Sequence, residues 1–271
     1  MKRTIYLAIL TVVTIVCILV GVAINVAGDG LGKWFHINKS YTTNAKEVSF
    51  TNELEAFDTL NVDLSAAELV IRTGDGYSIG YEGADVLQPE YSLKNNVLDI
   101  KSASTKISWK TNWECTLTIT VPEGTNLTKS VIDIDAGNVE CTGVSAEELE
   151  IDVDAGNVEM YDAVYKTADV DVDAGNVSFN NCEVSSITAD SNMGNIELGH
   201  CAFDRLDAAA DMGNVTIHSS RDLSGYSVEM DADFGNISIN GQDLTGRYQV
   251  NGDKEHYIRI EVSMGNAELF Y

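Results

Sequence analysis

Basic residues are scarce in this chain, with 17 Lys and Arg against 42 Asp and Glu and a net charge of -25. Residues 131–235 are the extreme case, holding 23 acidic residues and only Lys166, Arg205 and Arg221 as basic ones. Binding to nucleic acid or anionic lipid headgroups depends on Lys and Arg neutralising phosphates, so nucleic acid is excluded as an expected partner. Cations, a basic protein or a cell-wall component fit the charge instead. Histidine is also sparse: His36, His200, His218 and His256 are all there is, and none falls near a Ser or Cys in a pattern that suggests a triad. A phosphate loop, a zinc spacing and an EF-hand are all missing, because in "DVDAGN" the Gly arrives too early and no Glu closes the loop. The few basic residues leave little to hold an acidic sugar, which makes a carbohydrate-active β-helix enzyme the weaker alternative. No catalytic or cofactor-binding residue is expected, and the chain reads as non-enzymatic.

What is present is a repeat. "DIDAGNVEC" at 133–141, "DVDAGNVEM" at 152–160 and "DVDAGNVSF" at 171–179 are near copies. Gly-Asn pairs stand at Gly137-Asn138, Gly156-Asn157, Gly175-Asn176, Gly194-Asn195, Gly213-Asn214, Gly235-Asn236 and Gly265-Asn266. The first four steps are 19 residues, and the next two are 22 and 30. A fixed period of about 20 residues is the signature of a solenoid, in which one coil cannot bury its apolar side alone and must stack on neighbours. The expected fold is therefore all-β, a single-stranded β-solenoid with ~19-residue coils.

Aligned on Gly-Asn, three columns are apolar throughout. They run from Ala136 to Met264 two residues before Asn, from Val139 to Ala267 one after it, and from Cys141 to Leu269 three after it. All three are expected to form the core. Gly is expected at a corner because it reaches positive φ without a Cβ clash, and Asn because its amide can bond along the stack. The outward positions before the corner form three acidic columns. One runs Asp133, Asp152, Asp171, Asp190, Ala209, Asp231, the next Asp135, Asp154, Asp173, Asn192, Asp211, Asp233, and the third Glu150, Asp169, Thr188, Asp207, Glu229. Stacked at strand spacing they make an acidic face three side chains wide. Asp152, Asp154, Asp171 and Asp173, with water, are the candidate ligands for weakly held calcium, which takes six to eight oxygens and accepts irregular geometry.

The other segments are organised around this repeat. Residues 1–4 are a cytoplasmic stub, and Ile5 to Ala27 is free of charge, a helix of about 34 Å and enough to cross a bilayer core. Lys2 and Arg3 precede the span, which orients the N-terminus to the cytoplasm and the C-terminal domain outside the cell membrane. A signal-peptide cut after Ala27 would have Asn25 two positions earlier, so an uncleaved single-pass anchor is expected. Residues 28–45 read as a tether, 46–130 as an N-terminal β region of irregular first coils or cap, and 131–271 as the Gly-Asn solenoid. "LSAAELVI" at 64–71 reads as a degenerate copy with Ala67-Glu68 in the Gly-Asn slot, which allows the solenoid to begin before residue 131. Cys182 and Cys201, 19 apart, should lie about 4.8 Å from each other, within disulfide reach; a bond and two packed thiols both remain open. The last coil, "VSMGNAELFY", ends the chain in an apolar strand without an evident cap. That favours end-to-end self-association, and with it a self-assembling structural solenoid as an alternative function.

"FDTLNVDLSAAELVIRTGDGYSIGYEG", then "YSLKNNVLDI", then "LTITVPEGTNL" leading into Gly-Asn coils resembles the bacterial putative-adhesin family of β-strand-repeat proteins. The resemblance covers about residues 46–271. It implies a β-solenoid displayed at the bacterial envelope, without enzymatic activity and linked in some members to envelope stress. No functional residue is carried over with it. The expected function is thus binding or adhesion at the cell envelope by a membrane-anchored, non-enzymatic solenoid.

Overall fold

A computed structural model of the chain describes residues 46–103, 115–244 and 246–271. The expected stub 1–4, membrane helix 5–27 and tether 28–45 lie outside these residues. Among the described residues no helix is long and apolar enough to cross a membrane. What they form is all-β, apart from one short 3-10 turn at Asp85–Leu87.

The central coils follow one plan. Long strands β8 (Asn126–Ala136), β10 (Ser145–Ala155), β12 (Val164–Ala174) and β14 (Glu183–Met193) have 11 residues each. Short strands β9 (Val139–Thr142), β11 (Val158–Tyr161) and β13 (Val177–Asn180) have 4 each. A Gly-Asn pair joins long to short, and two turn residues lead to the next long strand. β15 (Ile196–Met212) runs a short strand into the following long one without a break, and β16 (Val215–Ser219) follows it. Every strand pairs in parallel with its copy one coil away, so that Ile151 meets Ile132 and Val170 and Val158 meets Val139 and Val177. The 19-residue period is therefore a strand-on-strand register, and long and short strands build two sheets facing one core.

Stacking order departs from chain order at both ends. β2 (Thr59–Leu64) and β3 (Glu68–Gly74) form the first coil in sequence and stack directly on β8 and β9. β6 (Val97–Lys101) and β7 (Thr116–Pro122) come later in the chain yet lie outside them. The solenoid thus begins at β2, well before residue 131. At the other end, β21 (Asp253–Met264) and β22 (Ala267–Phe270) insert between β15–β16 and the coil of β17 (Tyr226–Phe234) and β18 (Ile237–Ile239). The expectation of an uncapped last coil is corrected: the final strand of the chain is covered on both sides. The outer coil at that end carries two antiparallel three-residue strands, β19 (Gln242–Leu244) on β18 and β20 (Tyr248–Val250) on β17. At the opposite end β1 (Glu47–Glu53) pairs antiparallel with β4 (Ser78–Ala84), and β5 (Glu90–Lys94) with β6. Short or charge-bearing antiparallel strands are how sheets blunt an open edge.

Two of the three expected core columns are inside. Val139, Val158, Val177, Ile196, Val215, Ala267 and Ile237 are buried, as are Cys141, Met160, Phe179, Leu198, Ile217 and Leu269; Ile239, on the outermost coil, is half-buried. They meet Leu149, Ile151 and Val153 and their copies from the long strands. Each fully buried Val, Leu or Ile contributes about 1.5–3 kcal/mol. A further column, Leu127, Ala146, Tyr165, Val184 and Phe203, is also buried, because alternation restarts after an adjacent exposed pair such as Glu147-Glu148. The third expected column is not core. Met193, Met212 and Phe234 are 52%, 40% and 65% exposed. Alternation would put them inside, but the chain turns one residue before Gly and leaves them on the outside of the corner.

Candidate functional site

The corner comes first, since it positions the acidic face. An added Cβ on Gly156 would overlap the Gly137 carbonyl oxygen, on Gly175 that of Gly156, on Gly213 that of Gly194, and on Gly235 that of Gly265. Positive φ, 140° at Gly137 and 146° at Gly265, is a second reason for Gly, but close stacking of backbone on backbone is what all seven corners share. The adjacent Asn side chains form a continuous ladder. Asn157 donates its backbone N–H (2.8 Å) and its Nδ2 (3.1 Å) to Asn138 Oδ1; Asn176, Asn195 and Asn214 repeat both bonds on the coil before each. Backbone bonds from Asn266 to Asn214 and from Asn236 to Asn266 continue it through the inserted coil.

With the corners locked, the long strands hold their outward side chains in register. Asp63, Asp133, Asp152, Asp171 and Asp190 are successive partners, followed by Ala209, Glu261 and Asp231. Asp63 and Glu261 escaped the sequence alignment, although each stands five residues before its corner residue, Glu68 or Asn266, as Asp152 does before Asn157. The third column continues from Glu150 through Asp169, Thr188 and Asp207, then Arg259, then Glu229.

Counter-charges gather at the two ends of this face. Lys129 pairs with Glu150 at 2.7 Å and Glu148 at 3.6 Å. Arg259 lies 3.8 Å from Asp207 and 2.6 Å from Glu261, and Arg247 contacts Glu229 and Asp231. Among the described residues, no Lys, Arg or His forms an ion pair with Asp133, Asp152, Asp171 or Asp190 between those ends. Partial burial, then nearby carboxylates, first those on adjacent coils for Asp133, Asp152 and Asp190 and those on its own strand, Asp173 and Asp169, for Asp171, push all four carboxyl groups above the usual Asp range. Asp207 is raised by burial too, and Arg259 offsets part of it.

The candidate calcium residues form an open grid. Asp152 and Asp171 are register partners, and Asp154 and Asp173 follow two residues along each strand. Among the described residues no three His, Cys, Asp or Glu side chains converge as a metal cage. Cys182 and Cys201 are buried on adjacent coils as free thiols that donate to backbone carbonyls, Cys182 to Asn180 and Met160 and Cys201 to Phe179 and Gly199; the neighbouring Cys182 thiol and then burial push the Cys201 thiol up. His218 stacks flat on Phe270 at 4.5 Å and lies 6.5 Å from His200. A groove of about 230 Å³ over β1, β4 and β7 is lined by hydroxyls such as Thr51, Thr116 and Thr118, with Arg72 and Glu82. None of these places assembles a nucleophile, a base and an orienting group.

The family model described as Toastrack DUF4097 matches residues 57–269. No curated protein matches the chain. Among solved structures, a putative adhesin from Bacteroides fragilis is 15% identical, covering 82% of this chain and 96% of its own, with a TM-score of 0.45. A putative cell adhesion protein from Clostridium sporogenes is also 15% identical, over 83% of this chain and 99% of its own, with a TM-score of 0.39. A putative lipid binding protein from Parabacteroides distasonis is 12% identical over 83% and 98%, with a TM-score of 0.43. These neighbours are named as adhesins or binding proteins rather than enzymes.

Proposed function

The chain belongs to the Toastrack DUF4097 family, and from that premise we propose that it is a non-enzymatic binding scaffold of the bacterial cell envelope. Residues 5–27 anchor it in the membrane, and its solenoid stands on the outer side with the acidic face turned to a basic protein or cell-wall partner. One observation carries this reading: the run Asp133, Asp152, Asp171, Asp190 lies in register on one sheet face with its pKa values raised and, among the described residues, without a counter-charge. Two carboxylates one strand apart repel by about 0.9 kcal/mol in water. Like charges directly opposed on a sheet destabilise it, and Thr or Ser would avoid the cost at each coil. A face that keeps such a charge ladder is suited to a ligand bringing Lys or Arg, which removes the repulsion on binding.

The test is titration of the full chain, in non-ionic detergent, with a Lys-rich peptide and with its Glu-rich counterpart. The Lys-rich peptide binds, and binding weakens as salt rises. The quadruple variant Asp133→Asn, Asp152→Asn, Asp171→Asn and Asp190→Asn loses most of it. Equal affinity of wild type and variant would remove the acidic face from the account.

A further inference from the structure

The column expected in the core and found outside it calls for its own explanation. Its residues are register partners in the order Ala136, Ala155, Ala174, Met193, Met212, Met264, Phe234. Three coils place Ala at this corner, which demonstrates that the fold needs no more than a methyl group there. The next four place Met or Phe, and of these Met193, Met212 and Phe234 are 52%, 40% and 65% exposed while Met264 is half-buried between them. Large apolar side chains gathered on one exposed line, where the same fold accepts Ala, mark an interaction surface.

The residue preceding each ridge position carries the complementary information. Asn192, Asp211, Ser263 and Asp233 run alongside, and Asp173 precedes the adjoining Ala174; Asn192 donates to Asp173 at 2.6 Å and Ser263 to Asp211 at 3.3 Å. An apolar ridge bordered by carboxylates disfavours an anionic membrane, whose headgroups those carboxylates repel. It also disfavours a second copy of this chain, which would bring the same acidic border to the contact. A polypeptide segment with one apolar face flanked by Lys or Arg satisfies both rows.

We propose that the ridge Met193–Met212–Met264–Phe234 is the docking line for a basic amphipathic helix laid along the stacking axis of the solenoid. Rungs are about 4.8 Å apart and a helix rises 5.4 Å per turn, so three rung steps match a little under three turns, on the order of ten residues. Leu or Phe at i, i+3, i+4 and i+7 would meet the ridge, and flanking Lys or Arg would reach the acidic columns. Methionine is suited to such a line because its unbranched thioether adapts to irregular apolar partners. This inference rests on the acidic-face reading and narrows it to a place and a partner chemistry.

The experiment uses the full chain in non-ionic detergent and two synthetic peptides of about 14 residues, roughly four helical turns. One is a Leu/Lys helix with all Leu on one face; the other has Ser in place of each Leu. The Leu/Lys peptide binds wild type at least about tenfold more tightly than the Ser/Lys peptide, a difference that burying two or three apolar side chains supplies. The triple variant Met193→Ala, Met212→Ala and Phe234→Ala keeps its melting temperature, since Ala already serves this slot in three coils, and loses the preference. Met193→Gln with Met212→Gln is the second variant and behaves alike. If both peptides bind wild type equally, the ridge inference falls while the acidic-face reading stands; if neither binds, both fall. Retention of the preference in the triple variant overturns the ridge as the site. Two further outcomes overturn the proposed occupant: a wild-type dimer that the triple variant dissolves, and ridge-dependent binding to zwitterionic lipid vesicles.

Discussion

The Glu68 carboxylate accepts the side-chain amide of Asn138, at 3.0 Å to Oε1 and 2.9 Å to Oε2. Glu68 stands in the slot where later coils have Asn, and it occurs where the amide ladder presents its donor end. Glu68→Ala leaves that amide to water and costs about 1 kcal/mol, measured by denaturant unfolding. Glu68→Asn, whose carbonyl oxygen accepts the same amide, retains most of the stability. Equal loss in both variants would mean that the carboxylate stabilises by its charge alone.

Gly175 has the Gly156 carbonyl where its side chain would be. Gly175→Ala therefore forces two coils apart and costs several kcal/mol, about 3 or more, among the larger effects of single substitutions. Gly225, with nothing within 4 Å of an added Cβ, is the control and is expected to be near neutral on Ala substitution. Similar melting temperatures for the two variants would refute the close-stacked corner.

Raised carboxyl pKa values make stability depend on pH with a definite sign. For Asp133, Asp152, Asp171 and Asp190 the folded pKa lies above the unfolded value of about 3.9, so the folded state holds more protons in that window. Their favourable contribution is present below pH of about 4 and is lost as pH rises through the raised values. Melting temperature should fall from mildly acidic pH toward neutrality, and Asp171→Asn should flatten that slope and raise the neutral melting temperature by about 2 °C. A profile unchanged by Asp171→Asn contradicts the coupling between coils.

The Asp152, Asp154, Asp171, Asp173 grid predicts a modest calcium response. A divalent ion held by the folded state alone stabilises it, so the protein should melt higher in millimolar calcium than in sodium of equal ionic strength. Substituting all four with Asn should abolish that difference. Identical melting in the two salts would assign the grid to basic side chains of a partner rather than to ions.

The coil was legible because its signals repeat: Gly-Asn every 19 residues, and alternating Val, Ile and Asp on either side. The stacking order at the ends was not, because every long strand offers a similar edge and register between coils is no local property. The longer steps before Gly235 and Gly265 marked where chain order could break without saying how. Phe234 and its column were misassigned for a related reason: alternation holds along a strand and fails at the residue where the chain turns. The acidic columns were read correctly where the period held, and Asp63 and Glu261 were missed where Ala67-Glu68 replaced the motif or the coil lay out of order.

The central claim, that the acidic face is covered by a basic partner at the cell surface, is tested most directly by carboxyl footprinting. A membrane-impermeant carbodiimide with an amine is applied to intact cells or protoplasts and, separately, to the purified full chain in detergent. Asp162, exposed in a turn away from the face, reports access in both. The account predicts that Asp162 is modified on cells and in detergent alike, while Asp133, Asp152 and Asp171 are modified in detergent and protected on cells. Equal modification of the three Asp residues in both settings would contradict it, and so would an unmodified Asp162 on protoplasts.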